Sequence, residues 1–215
     1  MASMQTAIID MDGTILDSLG MWSKIDHDFL EVRRGIAVPD DYVKVIAPMT
    51  YRETAEYTIA RFGLTDEPEE LMAEWDKMAE DEYRHNVTLK PYAREFLTRL
   101  REQGIGTVLC TSSPESYYKP ALTRLGVYDL FDAFATTGEV GVSKSEPNVF
   151  LLAAEKVGSA PCRCTVFEDI PEAILGAKKA GMMTCGVYDP RSAAEMDHML
   201  QICDRYIMTL EAYFK

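Results

Sequence analysis

The sequence predicts an α/β fold whose core is a doubly wound parallel sheet, and three observations support this prediction. Short apolar runs alternate with amphipathic stretches along most of the chain. The runs are almost wholly apolar, as in strands that are buried on both faces of a parallel sheet. The amphipathic stretches carry apolar residues at helical spacing, and several of them end at a glycine. Alternation of this kind is typical of an open α/β sheet.

Each predicted element follows from its own residues. Three stretches with one apolar face are predicted to be helices, at 92–103, 147–157 and 171–180. Pro147 and Pro171 suit the first turn of their helices, where a missing backbone N–H does no harm. The apolar runs are predicted to be six strands, at 6–10, 106–111, 133–136, 165–168, 183–187 and 206–208.

The segment 18–87 departs from this alternation. Its apolar residues recur at helical spacing, and several prolines and glycines separate the helical stretches. We therefore expect residues 1–17 and 88–215 to form the core. Residues 18–87 would form a small helical cap, inserted between the first and second core strands. Ordinary packing explains the tryptophans and methionines of this segment better than a cofactor site does.

Composition and charge restrict the class of protein. A chain of 215 residues can bury a core and still carry a small insert. The formal net charge of −13 argues against nucleic acid or an anionic membrane as the partner, because both would be repelled. An anionic substrate would then need a metal ion, a lysine or helix N-termini to attract it locally.

Two further features bear on location. Residues 1–6 have no basic region, and no apolar run approaches the roughly 20 residues of a membrane span. The five cysteines are odd in number, which fits reduced thiols better than a disulfide framework. We expect a cytoplasmic protein that is a monomer or a weak dimer.

Four short segments carry the residues that suit chemistry. The first of them follows directly after the apolar run that ends at Ile9, and it contains two carboxylates one residue apart. Because the carboxyl ends of parallel strands share one edge of a sheet, segments that follow different strands can meet in one crevice. The four segments are Asp10-Met11-Asp12-Gly13-Thr14, Thr111-Ser112-Ser113, Lys144 and Glu168-Asp169.

The first segment fits the reacting part of a phosphoryl-transfer site. Asp10 can attack phosphorus as a nucleophile, and Asp12 can protonate the leaving oxygen and later activate water. Gly13 permits a tight turn, and Thr14 can brace the loop. Two acids in a strand-end turn would be ordinary by themselves. The presence of the other three segments favours the catalytic interpretation.

The other segments can supply ligands for phosphate and metal. The hydroxyl and amide groups of Thr111 and Ser112 can hold phosphoryl oxygens, although a serine-rich run also commonly caps a helix. Lys144 would be the fixed cation beside the nucleophile, although a single lysine is often only solvated. Glu168 and Asp169 suit Mg²⁺, which prefers oxygen ligands. A helix N-cap would account for only one of these two acids.

These motifs resemble those of the haloacid dehalogenase superfamily, in particular phosphatases of the β-phosphoglucomutase-like subgroup that carry a helical cap. The resemblance covers nearly the whole chain. It implies a Rossmann-like core with Mg²⁺ held by Asp10, the backbone carbonyl of Asp12 and Asp169. In the family, the residue that corresponds to Glu168 supports the metal shell.

The same resemblance implies that Thr111, Ser112 and Lys144 hold phosphate. Two departures from the family pattern occur near these residues. The usual Lys-Pro-x-Pro is Lys-Ser-Glu-Pro at 144–147, which keeps the lysine but changes the stiffness of its loop. The usual Glu-Asp-Ser is Glu-Asp-Ile at 168–170, so one hydroxyl is missing. We expect these departures to tune activity rather than to abolish it.

Two residues of the predicted cap bear on the substrate. Arg52 matches a cap arginine that binds a distal phosphate or sugar in the mutases that the chain resembles, and a plain surface arginine is an equal alternative. Trp22 stands where those mutases carry a histidine that gates cap closure. This substitution argues against true mutase activity and places an aromatic side chain in the substrate pocket or in the packing of the cap.

The leading hypothesis is a Mg²⁺-dependent phosphatase that acts on a small phosphorylated metabolite, such as a sugar phosphate. One alternative is a phosphosugar mutase, and a non-enzymatic alternative is a phosphoacceptor switch of the receiver type. Receivers are much shorter and lack a large insert. A dehalogenase is disfavoured because it needs neither Asp12 nor Asp169. The three histidines are scattered along the chain and are assigned no role.

Overall fold

A computed structural model describes residues 4–46 and 49–215 of the protein. The chain divides into two compact units. The core unit contains the residues up to Leu19 and those from Val87 onward, and the inserted unit contains Gly20–Asn86. The two divisions lie within two residues of the predicted domain boundaries. The role of the inserted unit as a cap stays a prediction.

The core unit contains a six-stranded parallel sheet with the strand order β5-β4-β1-β6-β7-β8. The predicted fold class is confirmed, and each predicted strand lies within one residue of an observed one. The change of direction in strand order occurs at β1, which lies between β4 and β6. The six strands are β1 Thr6–Ile9, β4 Gly106–Thr111, β5 Ala133–Thr136, β6 Cys164–Glu168, β7 Met183–Val187 and β8 Arg205–Ile207.

Helices cover both faces of this sheet. On one face, Val149 and Phe150 join Val108 and Val166 of the central strands in a fully buried cluster. On the other face, the ring of Phe96 lies 5.0 Å from that of Phe167. Because neighbouring residues of a strand point to opposite faces, this arrangement encloses the central strands completely. The helices of the unit are α5 Ala93–Glu102, α6 Glu115–Arg124, α7 Thr137–Val140, α8 Asn148–Lys156, α9 Pro171–Lys179 and α10 Met196–Ile202.

A two-stranded antiparallel ribbon joins the segments at which the chain leaves and re-enters the core unit. Its strands are β2, Leu16–Asp17, and β3, Thr88–Leu89. The amide of Lys90 continues the pairing by donating to the carbonyl of Ile15 at 2.9 Å. No strand was predicted in either segment, because a strand of two residues is too short to carry a periodic pattern.

All the secondary-structure elements in the described residues of the inserted unit, 20–46 and 49–86, are helices, and irregular segments join them. A capping box between Thr50 and Glu53 begins one helix, and Gly63, with a φ of +63°, ends it. The rings of Phe29 and Trp75 meet edge to face at 5.7 Å in the interior of the unit. The helices are α1 Met21–His27, which continues as a π-helix at Asp28–Arg33, then α2 Tyr42–Ile46, α3 Tyr51–Phe62 and α4 Pro68–His85.

Two general expectations can be compared with the described residues. No helix in 4–46 or 49–215 is long and apolar enough to cross a membrane. The five cysteines are all free thiols, three of them buried. Burial raises the pKa of the Cys110 and Cys185 thiols to about 12, so both behave as small apolar side chains.

The close contact between α9 and the loop that carries Lys144 generates a stability prediction. A Cβ on Gly176 would collide with the backbone carbonyl oxygen of Lys144. In an open helix, Gly→Ala stabilises by about 1 kcal/mol. Here we expect Gly176→Ala to lower the free energy of unfolding by about 1–3 kcal/mol, because a backbone atom has to move. Urea denaturation of the purified variant measures this change.

Gly138→Ala is the matched control. Gly138 also lies in a helix, and a Cβ there would meet only the Thr136 hydroxyl at an ordinary 3.7 Å. We expect this control variant to lose no stability. An unfolding free energy for Gly176→Ala equal to that of the wild type would show that the loop of Lys144 is not packed against α9 as described.

Candidate active site

The predicted segments meet at the carboxyl edge of the sheet in the core unit. Asp10 follows β1 directly, Thr111 is the last residue of β4, and Glu168 is the last residue of β6. Strand β1 pairs with both β4 and β6 in parallel register. The three strand ends are therefore neighbours, and the open edge of an α/β sheet is the usual place for a ligand crevice.

Three buried carboxylates form the centre of the site. Asp10, Glu168 and Asp169 each offer a carboxylate oxygen, and these three oxygens lie within 4.8 Å of one another. All three side chains are buried. Carboxylates packed this closely repel one another unless a cation or protons compensate their charge.

A buried lysine compensates part of this charge. The ammonium of Lys144 donates to Asp10 Oδ1 and, at 2.7 Å, to Glu168 Oε1. Only 6% of Lys144 is exposed, so it is not the solvated surface lysine of the alternative interpretation. Burial alone would lower its pKa, but the charges of Asp10 and Glu168 outweigh burial and hold the pKa of Lys144 well above its usual value.

The acids after β6 are held by further hydrogen bonds. The second oxygen of Glu168 accepts from the backbone amides of Asp169, at 2.9 Å, and Ile170, at 3.3 Å. The hydroxyl of Ser192 donates to Asp169 Oδ2 at 3.2 Å. Ser192 was not predicted, because it lies in a short 3₁₀ helix after β7 that carries no motif.

Burial and mutual repulsion shift the ionisation of this cluster. Burial, followed by the charges of Glu168 and Asp10, raises the pKa of Asp169 to about 9. Burial and the charge of Asp10 likewise raise the pKa of Glu168 to about 7. With one lysine against three acids, the site is short of positive charge. Its donors are all oxygens, which fits a hard divalent cation such as Mg²⁺, and the cluster could hold such an ion.

Asp12 is not one of the three clustered acids, and it has hydrogen-bond partners of its own. Its Oδ1 accepts from the Ser18 hydroxyl at 2.6 Å, and its Oδ2 accepts from the Ser113 hydroxyl at 2.9 Å. The two serines come from different segments of the core unit, and because each bonds to a different oxygen, they fix the direction of the carboxylate. Ser113 belongs to the predicted Thr-Ser-Ser segment but was not assigned to the site, and Ser18 gave no sequence signal.

Gly13 lets this loop approach the acidic cluster. Its φ of +82° favours glycine, and a Cβ at this position would collide with the carboxylate of Asp169. Glycine is therefore favoured at this turn both by the backbone conformation and by the close approach of Asp169. Thr14 does not brace the loop as expected, because its buried hydroxyl has no hydrogen-bond partner among the described residues.

Thr111 and Ser112, the two predicted phosphate ligands of the Thr-Ser-Ser segment, differ in their exposure to solvent. Thr111 is buried, and its hydroxyl accepts from the amide of Ser113 at 3.0 Å. Ser112 is exposed at the same strand end, directly before the residues that lead into α6. Both residues lie at the edge of the sheet where the three acids are. Their role in holding phosphate stays a prediction.

Within the inserted unit, Arg52 and Trp22 are both accessible to solvent. The guanidinium of Arg52 donates to Glu56 Oε1 at 3.0 Å and to Glu69 Oε1 at 2.6 Å. Trp22 is 42% exposed, and its ring meets that of Tyr51 edge to face at 5.9 Å. The described contacts of Arg52 are those of a surface arginine, and its assignment to the substrate stays a prediction.

Comparison with known proteins supports the resemblance that the motifs suggested. The chain is 28% identical to validoxylamine A 7′-phosphate phosphatase of Streptomyces hygroscopicus subsp. limoneus, over 92% of this chain and 93% of that protein. It is 26% identical to hexitol phosphatase B of Escherichia coli K12, over 95% of this chain and 91% of that protein. A solved haloacid dehalogenase hydrolase of Entamoeba histolytica shares the fold, with a TM-score of 0.78 at 21% identity, over 97% and 95% of the two chains.

A model of haloacid dehalogenase-like hydrolases matches residues 4–181, which include all four predicted segments. The prediction that the chain is an enzyme is confirmed by this match. The receiver-like switch is the wrong alternative, because the matching family is one of hydrolases. The matched range contains the whole inserted unit and most of the core unit. The chain therefore belongs to the haloacid dehalogenase-like hydrolase family.

Proposed function

We propose that the protein is a Mg²⁺-dependent phosphatase, which hydrolyses a small phosphorylated metabolite through a phosphoaspartate at Asp10. One observation carries this proposal: the Asp10 carboxylate lies in a cluster with Glu168 and Asp169 and also contacts the Lys144 ammonium. The names of the relatives, a validoxylamine phosphate phosphatase and a hexitol phosphatase, support a phosphate monoester as substrate.

In the first step, a carboxylate oxygen of Asp10 attacks phosphorus, so that an O–P bond to Asp10 forms and the ester P–O bond breaks. Asp12 gives its proton to the leaving oxygen, which departs as an alcohol. The hydrogen bonds from Ser18 and Ser113 hold the Asp12 carboxylate in one orientation for this transfer. Precise orientation is the main demand of phosphoryl transfer on a protein.

In the second step, Asp12 removes a proton from water, and the water oxygen attacks phosphorus. The O–P bond to Asp10 breaks, inorganic phosphate leaves, and the two aspartates return to their starting states. Lys144 is charged in the free site, since its pKa lies well above its usual value. Its positive charge opposes the negative charge that gathers on the phosphoryl oxygens. Thr111 and Ser112 would donate to the same oxygens.

The cation would be held by Asp10, Asp169 and the backbone carbonyl of Asp12, with Glu168 supporting them. A bound Mg²⁺ supplies positive charge that lets the anionic phosphoryl group approach the anionic nucleophile. The oxygen-only donor set and the raised pKa of Asp169 support this assignment, because both indicate a site that lacks positive charge.

A pocket in the inserted unit supports a polyhydroxylated substrate, such as a sugar phosphate. The pocket has a volume of about 290 Å³, and its walls include Trp22, Tyr51, Trp75 and Asp26. Aromatic faces with a few polar groups are the usual lining of a small-molecule site. Asp26 has no hydrogen-bond partner among the described residues, so its carboxylate is available to accept from substrate hydroxyls.

The proposed function generates three predictions, and the first concerns loss of the nucleophile. We expect Asp10→Asn to reduce hydrolysis of phosphate monoesters to background with Mg²⁺ present. Asp12→Asn should lower kcat by about 100- to 10,000-fold, the usual contribution of a general acid–base group. Release of inorganic phosphate from a panel of phosphate monoesters measures both effects. Recovery of an isomerised sugar phosphate instead of inorganic phosphate would identify a mutase.

Asp17→Asn is the matched control, because Asp17 is an exposed aspartate on β2. It removes one negative charge near the same loop without touching the site. We expect its activity to equal that of the wild type. Undiminished hydrolysis by Asp10→Asn would reject the nucleophile assignment.

The ionisation of the acidic cluster gives a second prediction. The pKa values of Asp169 and Glu168 are about 9 and about 7 in the folded protein, above the ordinary 3.8 and 4.5. The folded state therefore binds more protons than the unfolded state, so without metal its stability falls as pH rises from about 5 to about 9. Mg²⁺ binds the deprotonated carboxylates. The increase in Tm on adding Mg²⁺ should be larger at pH of about 8.5 than at pH of about 6.

Thermal unfolding with Mg²⁺, and with Na⁺ at the same ionic strength as the control, measures this difference. Isothermal titration calorimetry in buffers of different ionisation enthalpy should also detect proton release on Mg²⁺ binding. Equal Tm increases at the two pH values would contradict the placement of the cation at these acids.

The pocket of the inserted unit gives a third prediction. We expect Asp26→Asn to raise KM for sugar phosphates about ten-fold, which corresponds to loss of one hydrogen bond to a charged group. KM for p-nitrophenyl phosphate, which lacks sugar hydroxyls, should change little. Burial raises the pKa of Asp26 to about 6, so steady-state assays at a pH well above that value keep the carboxylate ionised.

Asp40→Asn is the matched control for this variant. Asp40 is an exposed aspartate of the same unit and does not line the pocket. Its kinetics should equal those of the wild type for both substrates. A KM for sugar phosphates that is unchanged in Asp26→Asn would exclude this pocket from substrate binding.

A further inference from the structure

A largely buried ion pair lies beside the acidic cluster in the core unit, and no predicted motif contains it. The ammonium of Lys90 is 3.0 Å from Asp189 Oδ2. The two side chains are only 12% and 4% exposed, respectively. An ion pair that is removed from water to this degree loses hydration, so its neighbours have to supply the missing hydrogen bonds.

The Lys90 ammonium is held on all sides by acceptors. Besides Asp189 Oδ2, it donates to the carbonyl oxygen of Tyr188 at 2.8 Å and to the carbonyl oxygen of Gly13. An ammonium has three N–H groups, and three acceptors satisfy them. The contact with Gly13 reaches the loop that contains Asp12, and the Lys90 amide also bonds to Ile15 in that loop. Lys90 thus fixes the loop at two points.

Asp189 connects the ion pair to Asp169 through the segment that follows β7. Its Oδ1 accepts from the amide of Arg191 at 2.8 Å, and its carbonyl oxygen accepts from the amide of Ser192 at 3.1 Å. These bonds cap the 3₁₀ helix Pro190–Glu195, which contains Ser192. The Ser192 hydroxyl donates in turn to Asp169, one of the three clustered acids. The position of Asp169 therefore depends on the cap that Asp189 forms.

We propose that Lys90 and Asp189 are positioning residues of the metal site, which hold Asp169 and the Asp12–Gly13 backbone at the geometry that a divalent cation requires. This inference rests on the proposed function. Groups that orient metal ligands without touching the metal commonly change metal affinity by about 10- to 100-fold when they are removed. The pair reaches the cluster by two routes, one through Gly13 and one through Ser192.

Lys90 and Asp189 could affect Mg²⁺ affinity through their charges alone, and this electrostatic role predicts a different result from the positioning role. Lys90→Met leaves the Asp189 anion without its partner, and this negative charge would attract a cation. Asp189→Asn leaves the Lys90 cation, which would repel one. An electrostatic role therefore moves Mg²⁺ affinity in opposite directions in the two variants. A positioning role weakens Mg²⁺ binding in both.

The test is isothermal titration calorimetry of Mg²⁺ into the full-length wild type, Lys90→Met and Asp189→Asn, with kcat and KM measured in parallel. We expect both variants to bind Mg²⁺ about 10- to 100-fold more weakly. We also expect kcat at saturating Mg²⁺ to fall while KM for the phosphate ester stays close to that of the wild type. Unchanged affinity in either variant, or shifts of opposite sign, would overturn the positioning role.

Lys178→Met and Asp204→Asn form the matched control pair. These residues make a 3.0 Å ion pair, and Asp204 bonds to Thr184 near the amino end of β7, at the edge of the sheet away from the acids. Any loss of stability in this pair should leave Mg²⁺ affinity unchanged.

Thermal unfolding identifies temperatures at which every variant is folded. If Lys90→Met fails to fold, Lys90→Arg tests the same contact, since a guanidinium keeps the charge without the three-way geometry.

The outcomes also separate this inference from the proposed function. A wild type that does not bind Mg²⁺ would reject both. A wild type that binds Mg²⁺, together with variants that bind it equally well, would reject only the positioning role of Lys90 and Asp189.

Discussion

Three carboxylates are buried beside one another at the carboxyl edge of the sheet. Many of the surrounding contacts offset the repulsion between their negative charges. Lys144 bonds to Asp10 and Glu168, and backbone amides bond to the remaining oxygen of Glu168. These contacts leave Asp169 with a hydroxyl partner and a strongly raised pKa. Burial of acids without full compensation costs stability, and such arrangements are characteristic of functional sites. The charge deficit is thus the property of the fold on which the proposed metal site depends.

The parallel sheet is the reason why these residues meet. Every strand of the six runs in the same direction, so every carboxyl end opens at one edge, and the order of strands places β1 between β4 and β6. Two glycines then allow the backbones to come close enough. Gly13 brings its loop against Asp169, and Gly176 brings α9 against the backbone of Lys144. Each of these glycines serves a close approach that a side chain would prevent.

Site residues could be predicted from the sequence where they directly follow an apolar strand, and much less well elsewhere. Asp10, Thr111 and Glu168 could be predicted to meet because each stands at the end of an apolar strand, and strand ends are readable from a run of buried residues. Ser18 and Ser192 could not be predicted, since a hydroxyl in an irregular segment has no periodic signature. The β2–β3 ribbon was missed for a related reason, as its strands have two residues each.

Two residues that escaped prediction, Ser18 and Lys90, lie where the chain leaves and re-enters the core unit. The outgoing segment carries Ser18, whose hydroxyl bonds to Asp12, and the returning segment carries Lys90, whose ammonium bonds to the carbonyl of Gly13. The ribbon of β2 and β3 pairs these two segments directly before and after the insertion. The loop that carries Asp12 and Gly13 is therefore held by both of these segments. A change of backbone geometry in the outgoing segment would reach Asp12 through the hydrogen bond from Ser18, and a change in the returning segment would reach the neighbouring Gly13 through Lys90. The insertion point is therefore mechanically coupled to the loop that carries Asp12.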